Sequence, residues 1–159
     1  MSAITIYWSK WHLMHSCLLG VIYNKHYPVP MGLTQEGKIQ TIMIIEDEED
    51  IMLIYRDFLE KKGYTIEVSA PTANEALRDY ESYRPDLVIL DYGLPGSMNG
   101  LQAAEKLIQK HPSAKILIIT AYENVKRQLQ ENHFFRDKQV FFMSKPIQLG
   151  QLARFIASL

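Results

Sequence analysis

From Gln40 onward, unbroken apolar runs of four or five residues alternate with stretches in which apolar residues return every three or four positions. The run at 41–45 (TIMII) is apolar without alternation, as a central strand covered on both faces requires. Ile51, Ile54, Tyr55, Phe58 and Leu59 then follow at helical spacing, and Gly63 ends that helix. A second strand is predicted over 64–69, followed by a helix burying Ala73, Ala76, Leu77 and Tyr80 that closes before Pro85. The run 86–90 (DLVIL) predicts a third strand leading into Asp91, with a loop through Gly93, Pro95, Gly96, Asn99 and Gly100 and a helix marked by Leu101, Ala104, Leu107 and Ile108.

The residues 115–119 (KILII) predict a fourth strand ending at Thr120, and 140–143 (VFFM) a fifth ending just before Lys145. Between them, 122–138 reads as a helix with Val125 and Leu129 inward and an irregular end at 132–137. The last helix carries Leu149, Leu152, Ala153 and Ile156. Strands alternating with helices across short connections predict an α/β domain over residues 40–159: a five-stranded parallel sheet, doubly wound, with helices on both faces.

Residues 1–39 break from this pattern. They hold Trp8 and Trp11, show no sustained period, and end among Pro28, Pro30, Gly32 and Gly37, so they are expected to form an extension outside the fold. Leu13 to Tyr23 has the apolar character of a targeting signal after Lys10, yet it is too short to span a bilayer, and His12, His15 and the missing small-residue cleavage site weaken that reading. A bland extension and an over-long gene start, with Met31 as the alternative first residue, remain beside it.

Composition sharpens the picture by exclusion. At 159 residues and 47% apolar, the chain is long and apolar enough to bury a core, which rules out a disordered or collagen-like protein. Seventeen basic residues against 18 acidic ones leave no footprint for duplex nucleic acid. A single cysteine, Cys17, excludes an intrachain disulfide and a cysteine zinc site, and fits a reducing compartment.

Core packing does not require the polar residues that sit at the strand ends. Glu46 and Asp47 close strand one, Asp91 strand three and Thr120 strand four, with Lys145 just past strand five. Open parallel sheets bind ligands outside the carboxyl ends of their strands. Three carboxylates gathered there repel one another unless a cation joins them, and oxygen ligands with room for water suit a small hard ion such as Mg²⁺. With that ion and Lys145 neutralising charge and Thr120 donating a hydrogen bond, a carboxylate oxygen can attack a phosphoryl group in line. Taken singly, an acidic run before a helix is a cap, Asp91 a turn former and Lys145 a solvated cation. The coincidence at four strand ends outweighs those readings.

These residues carry a resemblance: from about Thr41 to Leu159 the chain resembles the receiver domain of two-component response regulators, a flavodoxin-like fold. The motifs are IIEDEEDI at 44–51, DLVILDYGLP at 86–95, IITA at 118–121 and MSKP at 143–146. The resemblance implies strand order 2-1-3-4-5. It implies Asp91 as phosphoacceptor and Glu46, Asp47, Asp91 and the Gly93 carbonyl as the Mg²⁺ site, with Asp47 the more direct ligand of the acidic pair. Lys145 would contact phosphoryl oxygens before a cis Lys145–Pro146 peptide, and Thr120 with Phe142 would form the switch. The implied partners are a histidine kinase or histidine phosphotransfer protein and an unknown downstream target. No nucleic acid or membrane is expected, the location is cytoplasmic, and the role is signalling rather than turnover. Tyr122, two residues past Thr120, bears on how water reaches a phosphate, with its sign open.

The loop from Tyr92 to Gly100 is one residue longer than usual, Phe142 stands where Tyr is more frequent, and FFRDK at 134–138 replaces a Gly-Ala turn. With no output domain after the last helix, a stand-alone receiver is expected. Two rivals are a receiver-like interaction module that is never phosphorylated, and an FMN-binding flavodoxin-like module. The latter conflicts with the acidic 46–50 loop, which would repel a phosphate unless a metal intervened. A chain beginning at Met31 is expected to express and to take up phosphate as well as the full chain. A marked fall in its melting temperature would show that the first thirty residues pack on the domain.

Overall fold

The computed structural model describes residues 38–159. The expectations for the extension, including Trp8, Trp11, Cys17 and Leu13 to Tyr23, fall on residues outside the described ones, apart from Lys38 and Ile39. Ile39 is already buried in the core, so the fold begins slightly before the boundary expected at 40.

Five strands form one parallel sheet: β1 (Thr41–Ile45), β2 (Thr65–Ala70), β3 (Leu87–Asp91), β4 (Ile116–Thr120) and β5 (Val140–Ser144). Their order is β2-β1-β3-β4-β5, as implied. Five α-helices connect or follow them: α1 (Glu49–Lys61), α2 (Ala73–Tyr83), α3 (Gly100–Lys110), α4 (Glu123–Glu131) and α5 (Leu149–Ala157). The irregular end expected after α4 is a short 3-10 turn, His133–Phe135, whose entry is capped by the Asn132 side chain. Among the described residues no helix is long and apolar enough to cross a membrane.

The strand pleat sorts the core into two layers. Met43, Ile45, Val88, Leu90, Ile116 and Ile118 pack with α2, α3 and α4. Ile42, Ile44, Leu87, Ile89, Leu117 and Ile119 pack with α1 and α5. All ten strand residues from Leu87 to Asp91 and Ile116 to Thr120 are buried, which explains why these strands read as continuous apolar runs. β1 pairs with β2 on one side and β3 on the other, so the chain changes winding direction there and opens a crevice at the carboxyl ends.

One expectation needs correction. Ile54 has the spacing of a buried helical position, yet it is 53% exposed, and Leu53 is exposed beside it. Helix α1 buries Tyr55 and Leu59 in the core, with Ile51, Met52 and Phe58 packed at the margin of that contact, so its apolar set is wider than the surface available. The second helix closes before Pro85, as expected. Arg84 takes the left-handed conformation at φ 47°, at a cost of roughly 1–2 kcal/mol, and its guanidinium bonds Glu81 at 2.7 Å and also reaches His111.

At the amino ends of the strands, the Asp86 carboxylate joins β1 to β3. One oxygen accepts the Gln40 and Thr41 backbone N–H groups and the Thr41 hydroxyl, each at 2.9 Å. Partial burial pushes this carboxyl up, but the three hydrogen bonds outweigh it and hold it below its ordinary value of 3.8. Its contribution is therefore complete above that value and is lost as pH falls through the lower folded value. Asp86→Ala is expected to cost about 1–3 kcal/mol, the scale of charge-assisted hydrogen bonds. Denaturant melts of both chains should converge as pH drops below about 3.8; a constant gap would refute the role.

Candidate functional site

Five of the expected site residues stand where a strand stops at the carboxyl edge. Glu46 and Asp47 follow β1, Asp91 is the last residue of β3, Thr120 the last of β4, and Lys145 follows β5. Parallel pairing keeps the ends level, for Asp91 lies opposite Ile119 and Thr120 opposite Ser144. The Lys145 N–H donates to the Thr120 carbonyl at 2.8 Å, carrying the chain one residue beyond the sheet before the cis Lys145–Pro146 peptide.

The Lys145 ammonium lies 2.8 Å from Asp91 Oδ1 and 2.9 Å from Glu46 Oε2. Glu46 and Asp91 are buried, whereas Asp47 is exposed. Buried carboxylates without a counter-charge are costly, and breaking such a pair strands the remaining charge. Burial pushes Glu46 up, with Asp91 adding repulsion, against the hydrogen bond and charge of Lys145. For Lys145 itself, burial works against the charge, but hydrogen bonds and charges from Asp91 and then Glu46 raise its pKa well above the usual range. The ammonium is thus locked in its charged form.

One cation does not complete this site. Glu46 Oε1 is buried with no hydrogen-bond partner, and one oxygen each from Glu46, Asp47 and Asp91 come within 4.8 Å of one another. Three carboxylates gathered this closely, one of them with a buried oxygen left unpartnered, form a donor set suited to a small hard divalent ion. The Gly93 N–H donates to Asp91 Oδ2, which orients the carboxylate. A Cβ on Gly93 would lie 3.0 Å from that oxygen.

Thr120 is buried, and its hydroxyl oxygen accepts the Tyr122 N–H at 3.2 Å. Phe142, opposite Ile118, is half-buried against the α2, α3 and α4 layer. The structure thus gathers Glu46, Asp47, Asp91 and Lys145 directly and sets Thr120 on the adjoining strand end, whereas Phe142 packs as a core aromatic.

Sequence reading missed three residues. Tyr55 is buried in α1, and its hydroxyl is pushed up by burial and modulated by Lys145, Glu46 and Asp91; only the fold brings it to the site. Tyr92 contacts the Tyr122 ring at 5.3 Å. Gly100 reads as a loop glycine, but its N–H bonds the Tyr92 carbonyl at 2.9 Å, and a Cβ there would collide with the Asp91 carbonyl and Tyr92 Cα. The Asn99–Gln102 capping box holds α3 against that segment.

This is the site of a doubly wound α/β protein that gathers acidic side chains around one half-buried lysine at its switch point. Residues 42–157 match the response regulator receiver domain, and the chain belongs to that family. Similar curated proteins include the chemotaxis protein CheY of Thermotoga maritima, 30% identical over 80 residues covering 50% of this chain and 66% of that protein. The alkaline phosphatase synthesis transcriptional regulatory protein PhoP of Bacillus subtilis is 35% identical over 80 residues, 50% of this chain and 32% of that one. The aligned stretch thus spans at most 66% of either relative. Among solved structures, a CheY-like receiver domain protein from Methanospirillum hungatei has TM-score 0.65 and 26% identity, covering 76% of this chain and 93% of its own. A LuxR-family two-component response regulator from Aurantimonas has TM-score 0.65 and 28% identity, covering 76% and 84%.

The close approach at Gly100 yields a test. Gly100→Ala must push α3 away from the end of β3, and overpacking of this kind costs about 1–3 kcal/mol. A melting temperature equal to that of the parent chain would show that the segment yields freely.

Proposed function

We propose that the chain accepts a phosphoryl group on Asp91 from a phosphohistidine, with Mg²⁺, and in doing so switches a surface that a downstream protein reads. The observation that carries this reading is the Lys145 bridge to Glu46 and Asp91 beside the unpartnered Glu46 oxygen. That arrangement holds an anionic nucleophile ready and keeps a cationic group beside it.

Glu46, Asp47, Asp91 and the Gly93 carbonyl would hold Mg²⁺, which supplies neutralisation of phosphoryl oxygens. The chain's own residues do the rest. The Gly93 N–H and Lys145 aim the Asp91 carboxylate, and one of its oxygens forms the new bond to phosphorus as the P–N bond breaks and its electron pair returns to the donor imidazole. Lys145 then has phosphoryl oxygens to contact. The Thr120 hydroxyl, whose oxygen already accepts from Tyr122, still has a proton to donate to the new group.

Phosphorylation adds charge and three acceptor oxygens. A Thr120 side chain drawn toward them frees space beside β4, into which the Phe142 ring can move. The change reaches the face built by α4, β5 and α5, which serves the downstream partner. A histidine kinase or histidine phosphotransfer protein supplies the phosphoryl group, and a cytoplasmic location belongs to the same reading.

Incubation with a small phosphodonor and Mg²⁺ is expected to add one phosphoryl mass to the intact chain. Asp91→Asn should abolish the gain, and Asp47→Ala or excess chelator should suppress it. Label persisting on Asp91→Asn, or uptake at full rate under saturating chelator, would refute the assignment.

A further inference from the structure

At the amino edge of the sheet, opposite the acidic site, the described residues leave a cavity of about 260 Å³. It opens among the lead-ins to three strands: Lys38 and Ile39 before β1, Asp86 before β3, and Ser113 and Lys115 before β4. Its two parts differ in chemistry. Ile39, Pro85, Ala114 and Tyr80 of α2 are buried and form a largely apolar floor. Lys38, Asp86 and Ser113 are exposed and Lys115 is half-buried, so the rim is polar. The chemistry at Asp91 makes no use of this space.

The rim sets two ammonium groups against one carboxylate. That carboxylate is already engaged, because Asp86 Oδ2 accepts three hydrogen bonds from Gln40 and Thr41. Among the described residues the Lys115 ammonium makes one long hydrogen bond, to the Leu159 carbonyl at 3.4 Å, which leaves two of its three N–H donors for a ligand. The surplus is one positive charge, so a ligand of single negative charge balances it. Inorganic phosphate brings more charge than the rim offsets and gains nothing from an apolar floor, whereas a monocarboxylate with a hydrocarbon body matches both parts. Size narrows the choice further. The volume lies just below the roughly 300–1,000 Å³ of ordinary small-molecule pockets, and it limits that body to a single ring or a short branched chain.

We propose that this cavity binds a small monocarboxylic acid. Its carboxylate lies between the Lys38 and Lys115 ammonium groups and accepts a hydrogen bond from the Ser113 hydroxyl, and its hydrocarbon body rests on Ile39, Pro85 and Ala114. The bound acid touches the starts of β1, β3 and β4 at once. Two of these strands lead to the Glu46 and Asp91 carboxylates at their other ends. An occupant therefore braces the strands that position the acidic site, from the end where Asp86 already joins β1 to β3. Binding here stands independently of whether Asp91 accepts a phosphoryl group.

The probe is benzoate, titrated into the isotope-labelled full chain at constant ionic strength, with backbone amide shifts as the readout. Shifts at Ile39, Asp86, Ser113, Ala114 and Lys115 are expected to saturate together in the millimolar range, an affinity within reach of so small a ligand. Benzyl alcohol keeps the ring without the charge, and phosphate the charge without the ring; each should bind several-fold more weakly. Lys115→Met removes one charge at similar volume and is expected to weaken benzoate about five-fold. Lys38→Gln, at an exposed position, should weaken it similarly with an unchanged melting temperature, and it alone decides if Lys115→Met fails to fold. Benzoate should also raise the melting temperature of the parent chain. Shifts that do not saturate, or that saturate away from these residues, overturn the proposal. So does benzyl alcohol or phosphate binding as well as benzoate, or a folded lysine variant binding benzoate like the parent.

Discussion

A single ammonium group determines how the carboxyl edge of this sheet can exist. Glu46 and Asp91 are buried on neighbouring strands and would repel each other without a counter-charge. Lys145 reaches both from beyond the far edge strand, at 2.9 and 2.8 Å. The interaction closes the crevice electrostatically but leaves it chemically incomplete, since Glu46 Oε1 has no partner. Burial, which disfavours every charge in the group, is what makes the remaining demand for positive charge specific to this spot.

The architecture exists to hold those three residues to within hydrogen-bonding distance. β1 and β3 are adjacent although not consecutive, and β5 is two strands from β3. Level strand ends follow from continuous parallel registers between β3, β4 and β5. Those registers are held by apolar side chains on both faces, so a slip by one residue would exchange the two core layers as well as displace the site. At the opposite end Asp86 fastens β1 to β3 by three hydrogen bonds, fixing the same pair of strands that carry the acidic cluster.

Glycine and aromatic residues set the shape of the opening. Gly100 permits α3 to start against the backbone of Asp91 and Tyr92, and Gly93 leaves a gap beside the carboxylate. The Tyr92 and Tyr122 rings pack on each other beside this segment, with centroids 5.3 Å apart.

Much of this was legible in the chain itself. Residues 41–45 and 116–119 are apolar without alternation because both sheet faces are covered, and the expected strands agree with the observed ones to within a residue or so. The acidic pair, Asp91, Thr120 and Lys145 could be placed at strand ends because a polar residue terminating a buried run has nowhere else to go. Periodicity failed at Ile54, which has the spacing of a core position, because spacing gives the apolar side of a helix but not the width of the surface it meets. Pro85 marked the end of the second helix, but the left-handed turn at Arg84, held by contacts to Glu81 and His111, had no glycine to announce it. The sequence by itself determined the strand and helix order and which residues end the strands, for those depend on local pattern. Only the tertiary structure decided that Lys145 bridges Glu46 and Asp91, that the Tyr92 and Tyr122 rings meet and that Gly100 cannot bear a side chain, because each is a contact between segments far apart in the chain or folded back on a turn, set by packing distance rather than by sequence spacing.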